Sequence, residues 1–279
     1  MKKISLALIL TALTLTAQAQ IRTPSASPSA TVVQGIGLAT ASVEYSRPAL
    51  KGRAMFGEQV PFGKVWRTGA NRTTKLTLSD EMTVGGQKLA AGSYGLFTIP
   101  GASEWTVIIS KDAVGPGAFA YKPENDVFRV TAKASKTAVK TEFFTVEFTG
   151  FTSTSANLTM RWENAEVSVS MINNPDAKIM AQIQEETAKA DAKPGVFFAA
   201  ADYYYETNRD MKQARAWAEK VVEADKQYWT YYLRAKIAAR QGDCKAARAD
   251  AETGLAIAQK AGDDAYIKNH QRILNECKQ

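Results

Sequence analysis

The sequence predicts a two-domain protein, an all-β antiparallel sandwich (jelly-roll-like) followed by an all-α helical repeat domain. From Ala30 to Met171 apolar and polar residues alternate, and turn residues recur about every 8–12 positions, a pattern typical of antiparallel sandwiches and barrels. At Ile172-Asn173-Asn174-Pro175 the apolar period changes from two to about 3.6 residues. Beyond that point a ten-residue pattern occurs twice. These three observations carry the predicted fold class.

The N-terminal residues 1–19 have the pattern of a cleavable signal peptide. Met1-Lys2-Lys3 is cationic, residues 4–15 are mostly apolar, and Ala17-Gln18-Ala19 is a small-x-small cleavage site. The apolar run is shorter than the roughly 20 residues that cross a bilayer. We therefore expect a periplasmic or secreted protein whose mature chain starts near Gln20, with a flexible Ser/Pro-rich leader at residues 20–29.

Residues 30–172 form the predicted β-sandwich domain, with about ten short strands. Thr83 to Leu89 is predicted to be a hairpin because Gly85-Gly86 can take positive φ at both central positions of the turn. Asn164-Ala165 is predicted to turn the last hairpin, between strands at 157–162 and 166–171. The predicted inward-facing residues are Leu76, Leu78, Leu96, Val107, Ile109, Phe144, Val146, Phe148, Leu158, Met160, Trp162, Val167 and Val169.

Residues 176–279 form the predicted helical repeat domain. The ten residues from Asp210 match the ten from Asp243 at seven positions, with a spacing of 33 residues. With small alanines in the repeat and aromatic residues on the preceding helix, this pattern resembles tetratricopeptide repeats, in which helix pairs stack to bury their apolar faces. The candidate helices are 176–191, 195–207, 210–224, 227–241, 243–260 and 264–277.

The two cysteines, Cys244 and Cys277, are predicted to form a disulfide. Cys244 opens one predicted helix and Cys277 ends the next, and neighbouring helices of a repeat stack run antiparallel. At about 1.5 Å per residue the two side chains lie about 24 and 20 Å from the shared turn, within one helical turn of each other. Export would supply the oxidising compartment that such a bond needs.

The positive charge of the chain is concentrated in one stretch, Tyr45 to Lys75. It carries seven Lys or Arg residues against the single acid Glu58, a net charge of +6 in 31 residues. Without the two lysines of the signal peptide the whole chain has a net charge of +5, so the rest is close to neutral. A local basic face attracts small acidic ligands, whereas a nucleic-acid-binding protein is expected to be basic over a wide surface.

The same stretch and the strands after it carry a set of unusual motifs. They are Tyr45-Ser46-Arg47-Pro48, Lys51-Gly52-Arg53, Phe56-Gly57, the run VPFGKVWRTGAN at 60–71, Gly92-Ser93-Tyr94, Phe97-Thr98-Ile99-Pro100 and Trp105. With these motifs the chain resembles, over about Ala30 to Met171, a bacterial family known as domain of unknown function 2911. The resemblance implies an exported β domain, often followed by helical repeats, with no known activity.

The chain departs from the family pattern in two places. Family members often have an acid directly after the Gly-Ala-Asn, where this chain has Arg72. They also often carry a Trp-Gly-x-Tyr segment where this chain has GPGAF at 115–119. An acid/base role at the first place, or ring stacking at the second, therefore does not carry over.

The sequence offers little catalytic machinery, and we predict no cofactor and no metal. The one histidine, His270, lies in the last predicted helix, and the sequence has no zinc, phosphate-loop or dinucleotide motif. Carboxylate chemistry is left open, because several glutamates lie on predicted strands or loops although their spacing singles out no pair. These are Glu44, Glu58, Glu104, Glu142, Glu147 and Glu163.

The candidate ligand-binding residues come from the basic stretch and one strand. Arginine presents a planar fork of donors that matches carboxylate, sulfate or phosphate, and aromatic rings can pack on a sugar face. The structural alternative, which is slightly favoured, is that the arginines hold irregular loops by donating to backbone carbonyls while the tryptophan lies in the core. The predicted set is Arg47, Arg53, Trp66, Arg67, Asn71 and Tyr94.

Two functional hypotheses follow from these residues. The one we adopt is a non-catalytic envelope module that binds a small anionic or glycan ligand through the β domain and docks a protein partner through the helical repeats. The alternative is a hydrolase or lyase that uses a carboxylate or Tyr94 on the same loop face. Neither hypothesis involves nucleic acid or membrane insertion.

Overall fold

A computed structural model describes residues 23–278, so the predicted signal peptide and mature start at Gln20 lie outside the described residues. The chain divides into two compact units between Asn174 and Pro175. We call them the β unit and the helical unit. Just before the first strand, the carbonyl groups of Ser27 and Pro28 accept hydrogen bonds from the β unit, so the end of the leader is attached to it.

The described part of the β unit forms a large antiparallel sheet, as predicted. Its strands lie in the order β1-β2-β3-β6-β7-β8-β9-β4-β5, and each pairing between them is antiparallel. The strands are β1 (Ser29–Ile36), β2 (Ala39–Ser46), β3 (Thr74–Leu78), β4 (Met82–Val84), β5 (Gln87–Leu89), β6 (Gly92–Ile99), β7 (Glu104–Ser110), β8 (Asp126–Thr149) and β9 (Ser155–Ile172).

Strands β8 and β9 are each continuous, whereas the sequence predicted two short strands in place of each. The prediction of a hairpin turn at Asn164-Ala165 is therefore wrong. In β8 the register shifts between Lys136 and Thr141, so that the residues between them bulge out opposite Asn164. Glu163, beside it on β9, has a positive φ of 54°. A bulge accommodates extra residues without ending the strand, so polar residues that resemble a turn can lie inside it.

The core of the β unit contains every residue of the predicted inward-facing set. Alternation along each strand explains this result, because successive side chains point to opposite faces of the sheet. Trp66 joins this core from the loop between β2 and β3. Its indole lies parallel to that of Trp162, with ring centres 5.7 Å apart, and its backbone pairs with Thr98 through two hydrogen bonds of 2.7 and 2.9 Å. The loop is therefore fixed to the sheet at its middle.

The described part of the helical unit contains six helices, close to the predicted bounds. Two are the helices on which the repeated ten-residue pattern falls, and the carboxylates of Asp210 and Asp243 cap them by accepting from backbone amides of the first turn. The helices are α1 (Asp176–Thr187), α2 (Pro194–Glu206), α3 (Met211–Ala224), α4 (Tyr228–Arg240), α5 (Cys244–Ala261) and α6 (Asp264–Glu276).

The two copies of the repeat occupy equivalent positions in neighbouring helix pairs. Helix α3 packs on α2, and α5 packs on α4. The repeated alanines Ala214 and Ala218 of α3 are fully buried, and so are their counterparts Ala247 and Ala251 of α5. Small side chains at these positions let the paired helices approach closely.

The predicted disulfide between Cys244 and Cys277 is confirmed, with the two Cα atoms 5.1 Å apart. It joins the first residue of α5 to the residue that follows α6. A disulfide is typical of proteins that work outside the reducing cytosol. Within the part of the chain that the structure describes, no helix is long and apolar enough to cross a membrane.

Candidate ligand-binding site

Two of the arginines predicted to bind a ligand, Arg47 and Arg53, hold the backbone around them. The guanidinium group of Arg47 donates to the carbonyl of Phe144 at 3.3 Å and to the hydroxyl of Thr145 at 2.8 Å. Arg53 donates to the carbonyls three and four residues before it, at 3.0 and 2.9 Å. Both side chains thus stabilise the start of the loop between β2 and β3 (residues 47–73), which we call the basic loop.

Arg67 and Asn71 form a second cluster of contacts within the same loop. Arg67 donates to the Asn71 carbonyl at 3.0 Å, and the Asn71 amide donates to the Ser46 hydroxyl at 3.2 Å and to the Ser27 carbonyl at 3.3 Å. Gly117 packs on the Arg67 guanidinium so closely that an added Cβ would lie 2.5 Å from Nη1. The three arginines thus hold separate segments of the chain, and none of the three arginine side chains lines either of the two cavities described below.

The other two predicted residues also have contacts within the protein. The Trp66 indole N–H donates to the Gly69 carbonyl at 3.1 Å, and the ring is buried. The Tyr94 hydroxyl donates to the Ala90 carbonyl at 3.1 Å. Trp66 belongs to a group of touching rings that also contains Phe56, Trp105, Phe144 and Trp162.

An open cavity of about 270 Å³ lies where this ring group reaches the surface. We call it the aromatic cavity. It brings together the basic loop, β7, the bulge of β8 and the adjacent residues of β9. The side chains that define its chemistry are Phe56, Phe62, Trp105, Lys136, Lys140 and Glu163.

The floor of the aromatic cavity is a supported aromatic surface. The Phe56 ring packs edge-on against Trp105 with ring centres 4.7 Å apart, and it also contacts Trp162 at 6.0 Å. Phe62, on the rim, leaves 45% of its area exposed. Each aromatic pair contributes about 0.5–1.5 kcal/mol beyond burial, so the floor is rigid rather than adaptable.

Glu163 fixes the position of the cavity floor. Its carboxylate accepts hydrogen bonds from the amides of Met55 and Phe56, at 2.9 and 3.1 Å. The side chain therefore ties the basic loop to β9 and holds the Phe56 ring in place. Glu163 holds this position with a positive φ of 54°. Such a φ in a residue other than glycine costs about 1–3 kcal/mol and often occurs at functional sites.

The remaining charges of the aromatic cavity are cationic. Lys136 and Lys140 lie at the two ends of the β8 bulge, and both are exposed. Among residues 23–278, neither amine has a hydrogen-bond or ion-pair partner. The aromatic cavity thus offers two free ammonium groups, one bound carboxylate and an aromatic floor.

A second open cavity, of about 300 Å³, lies at the end of the basic loop, and we call it the Arg72 cavity. Asn71 is the one predicted binding residue that lines it, together with Arg72, Lys75 and Val114. The Lys75 amine pairs with the Glu44 carboxylate at 2.6 Å. Arg72 is the cation of this cavity that has no such partner among the described residues.

Two cations of the helical unit, Lys236 and Arg240, have partners within it. The Lys236 amine donates to Asp202 at 2.7 Å and to Glu206 at 3.2 Å, and lies 4.3 Å from the centre of the Tyr205 ring. The Arg240 guanidinium stacks on the same ring, 3.5 Å from its centre. This arrangement stabilises the helix pairs, as cation–π contacts do.

The described residues contain no group of three or more His, Cys, Asp or Glu side chains placed to hold a metal ion. Each cavity of the β unit is lined by one carboxylate, Glu163 in the aromatic cavity and Glu44 in the Arg72 cavity. The arrangement of both cavities can bind an anion. Neither contains the two facing carboxylates that glycoside hydrolysis uses.

The fold and these cavities define a class of protein, an antiparallel β module with open surface cavities followed by a helical unit. A protein-family model described as "Protein of unknown function (DUF2911)" matches residues 27–171, and the chain belongs to that family. A search of curated proteins and a search of solved structures each gave no significant match. The family resemblance of the basic loop is thus confirmed, and it carries no known activity.

Proposed function

We propose that this is an exported envelope protein whose β unit is a non-catalytic binding module for a small anionic or glycan ligand. The observation that carries the proposal is the combination of an aromatic floor with the free amines of Lys136 and Lys140 in the aromatic cavity. A sugar ring or another flat face packs on Phe56 and Phe62. A carboxylate, sulfate or phosphate group of the same ligand pairs with the two ammonium groups.

The hydrolase or lyase alternative has less support. A pair of catalytic carboxyl groups about 5–10 Å apart is needed for glycoside hydrolysis, and the aromatic cavity is lined by Glu163 alone. That carboxylate already accepts two backbone hydrogen bonds. The Tyr94 hydroxyl donates to a carbonyl, and its side chain does not line the aromatic cavity. Binding therefore needs fewer changes to these contacts than catalysis does.

The finer architecture and the cellular location belong to the same proposal. We propose that the sheet is a jelly-roll-like sandwich, which the passage of β8 from pairing with β7 to pairing with β9 supports. We propose tetratricopeptide-like helix pairs, supported by the equivalent caps at Asp210 and Asp243. The disulfide supports export to the periplasm or the medium.

The helical unit, in this proposal, docks a protein partner. An apolar groove of about 310 Å³ between α1 and α2 supports this role, with Ile179, Ile183, Val196 and Tyr203 among its lining residues. A crosslinked partner that is lost when Ile179→Asp is introduced into an otherwise folded protein would support the groove as the docking surface. Unchanged crosslinking in that variant would exclude it.

The ligand proposal is tested by isothermal titration calorimetry at low salt. N-acetylmuramic acid and glucuronic acid supply a sugar ring and a carboxylate, N-acetylglucosamine supplies the ring alone, and acetate supplies the charge alone. We expect the two acidic sugars to bind, with Kd of about 1 mM or below. The double variant Lys136→Gln/Lys140→Gln should weaken binding at least about tenfold, because charge-assisted contacts contribute about 1.5–3 kcal/mol each.

Two matched variants separate the cavity from the rest of the basic loop. Lys64→Gln removes an exposed lysine of the same loop that does not line the cavity, and it should leave binding unchanged. Phe62→Ala should weaken binding, whereas Phe151→Ala, at another ring that is 56% exposed, should not. If no acidic sugar binds, or if the double lysine variant binds as well as the wild type, the proposal fails.

A further inference from the structure

The loop between β7 and β8 presents two apolar side chains to solvent. Val114 is 75% exposed and Phe119 is 92% exposed. Single exposed apolar residues are common on proteins, and the informative observation is a larger exposed apolar patch. Two of them on one loop rich in glycine and proline form an apolar tip, which we call the Val114–Phe119 tip.

The tip stands on a well-anchored base. The Asn125 amide donates to the Asp112 carboxylate at 3.0 Å, and the Lys111 amide donates to the Asn125 carbonyl at 2.9 Å. The Tyr121 hydroxyl donates to the Asp126 carboxylate at 2.8 Å; burial, together with that hydrogen bond, raises the pKa of Tyr121 to about 12. These hydrogen bonds fix both ends of the loop that carries the exposed side chains.

The Arg72 cavity and the Val114–Phe119 tip share one residue, Val114. Val114 lines the cavity that Arg72 also lines. The Thr73 amide donates to the Gly115 carbonyl at 3.2 Å and so joins the two segments. An open cavity of about 300 Å³ that is lined by Arg72 therefore lies beside the Val114 side chain, which is exposed within residues 23–278.

The charges around this surface favour an anionic partner. Glu44 pairs with Lys75, which leaves the Arg72 guanidinium as the net charge of the cavity. Lys111 and Lys122, near the two ends of the loop, are exposed and have no side-chain partner among the described residues. Two acids of the loop region, Asp112 and Asp126, are already bound within it, and Glu124 is the exposed exception.

We propose that this surface binds the face of an anionic phospholipid bilayer, with a headgroup phosphate at Arg72 and the Val114–Phe119 tip in the interfacial layer. A free phosphate would satisfy Arg72 but leave the apolar tip in water. A bilayer supplies both an anionic group and an apolar layer beneath it, and membrane-surface proteins combine these two contacts. The contact is peripheral and is independent of the ligand proposed for the aromatic cavity.

The test is co-sedimentation of the purified protein with vesicles of phosphatidylcholine, with or without phosphatidylglycerol. We expect binding to the vesicles that contain phosphatidylglycerol and much weaker binding to phosphatidylcholine alone. Arg72→Gln should weaken binding about fivefold, the usual contribution of one cation at an anionic surface. Phe119→Ser should weaken it about tenfold through the loss of apolar burial.

Matched controls make each outcome decisive. Phe151→Ser and Lys64→Gln change an exposed ring and an exposed lysine outside this surface, and both should bind vesicles like the wild type. The circular dichroism spectrum of each variant verifies folding. Glycerol phosphate that competes fully with vesicles, together with full binding by Phe119→Ser, would indicate a free-phosphate site and overturn the proposal. Self-association that depends on Phe119, without vesicle binding, would indicate a protein interface and would also overturn the proposal. Equal binding to both vesicle types would overturn it too, because the anionic headgroup would then play no part.

Discussion

Opening the disulfide between Cys244 and Cys277 should lower the melting temperature of the helical unit by about 18 °C. The bond links residues 33 positions apart. In the chain-entropy description a loop of that length restricts the unfolded chain by about 3.7 kcal/mol at 25 °C. The helical unit spans residues 175–279, and its unfolding entropy near 60 °C is about 0.2 kcal/mol per kelvin. The ratio of the two quantities gives the expected shift.

The assay is thermal unfolding followed by circular dichroism at the helix band. Three samples are compared, the oxidised wild type, the wild type with reductant, and the variant Cys244→Ala/Cys277→Ala. Alanine is preferred to serine because Cys277 is buried and a hydroxyl group there would need a partner. Reductant should not affect the double variant, because the sequence contains two cysteines in total.

Two results would refute this reasoning. One is a double variant that melts at the temperature of the oxidised wild type, which would mean that the bond does not restrict the unfolded chain. The other is the titration of two free thiols in the untreated native protein, which would mean that the bond is not formed. Agreement between the reduced wild type and the double variant to within a few degrees would attribute the shift to the crosslink rather than to the side chains.

Three further predictions concern the packing of the helical unit. Gly254→Ala should destabilise the helical unit by about 1–3 kcal/mol in a denaturant titration, because the new Cβ would lie 2.2 Å from Cε1 of His270. The control Gly195→Ala, whose new Cβ would have no atom within 4 Å, should stabilise its helix by about 0.5–1 kcal/mol. Burial lowers the pKa of His270 below its usual 6.5, so the folded protein binds this proton less readily than the unfolded chain does. The free energy of unfolding should therefore fall as the pH drops below 6.5 towards the folded pKa, and His270→Gln should flatten this dependence. Asp250→Ala should lower the free energy of unfolding by about 2–3 kcal/mol in the same titration, because it leaves the Arg234 guanidinium without two hydrogen bonds of 2.6 and 2.8 Å. Equal stability of the variant and the wild type would contradict this prediction.

Most of the fold was predictable from local patterns. The alternation of Leu76 and Leu78 placed both in the core, and helices α3 and α5 begin within one residue of the starts predicted from the repeated pattern. The lengths of β8 and β9 were not predictable, because Asn164-Ala165 has the composition of a turn. Only the pairing partner distinguishes a turn from a bulge, and that partner lies more than twenty residues away in sequence.

The candidate site was predictable only in part. The basic stretch contributes Phe56 and Phe62 to the aromatic cavity, whereas Lys136, Lys140 and Glu163 come from strands far along the chain. The composition of the stretch drew attention to its arginines because arginine is a strong anion ligand in general. Composition does not reveal which arginine donors are already hydrogen-bonded to nearby backbone carbonyls. The exposed lysines of a bulged strand carry no local signal at all.

By itself the sequence determined the order of the two units, the faces of the strands and helices, the family and the cysteine pair. The order of the units, the faces and the cysteine pair depend on residue spacing along regular elements, whose periodicity is fixed by backbone geometry. The family depends on the motifs around the loop between β2 and β3. Tertiary structure decided that Trp66 lies in the core, that Glu163 binds the basic loop, and that free cations collect at two cavities. Those outcomes depend on which distant groups meet, and the geometry of a single segment does not contain that information.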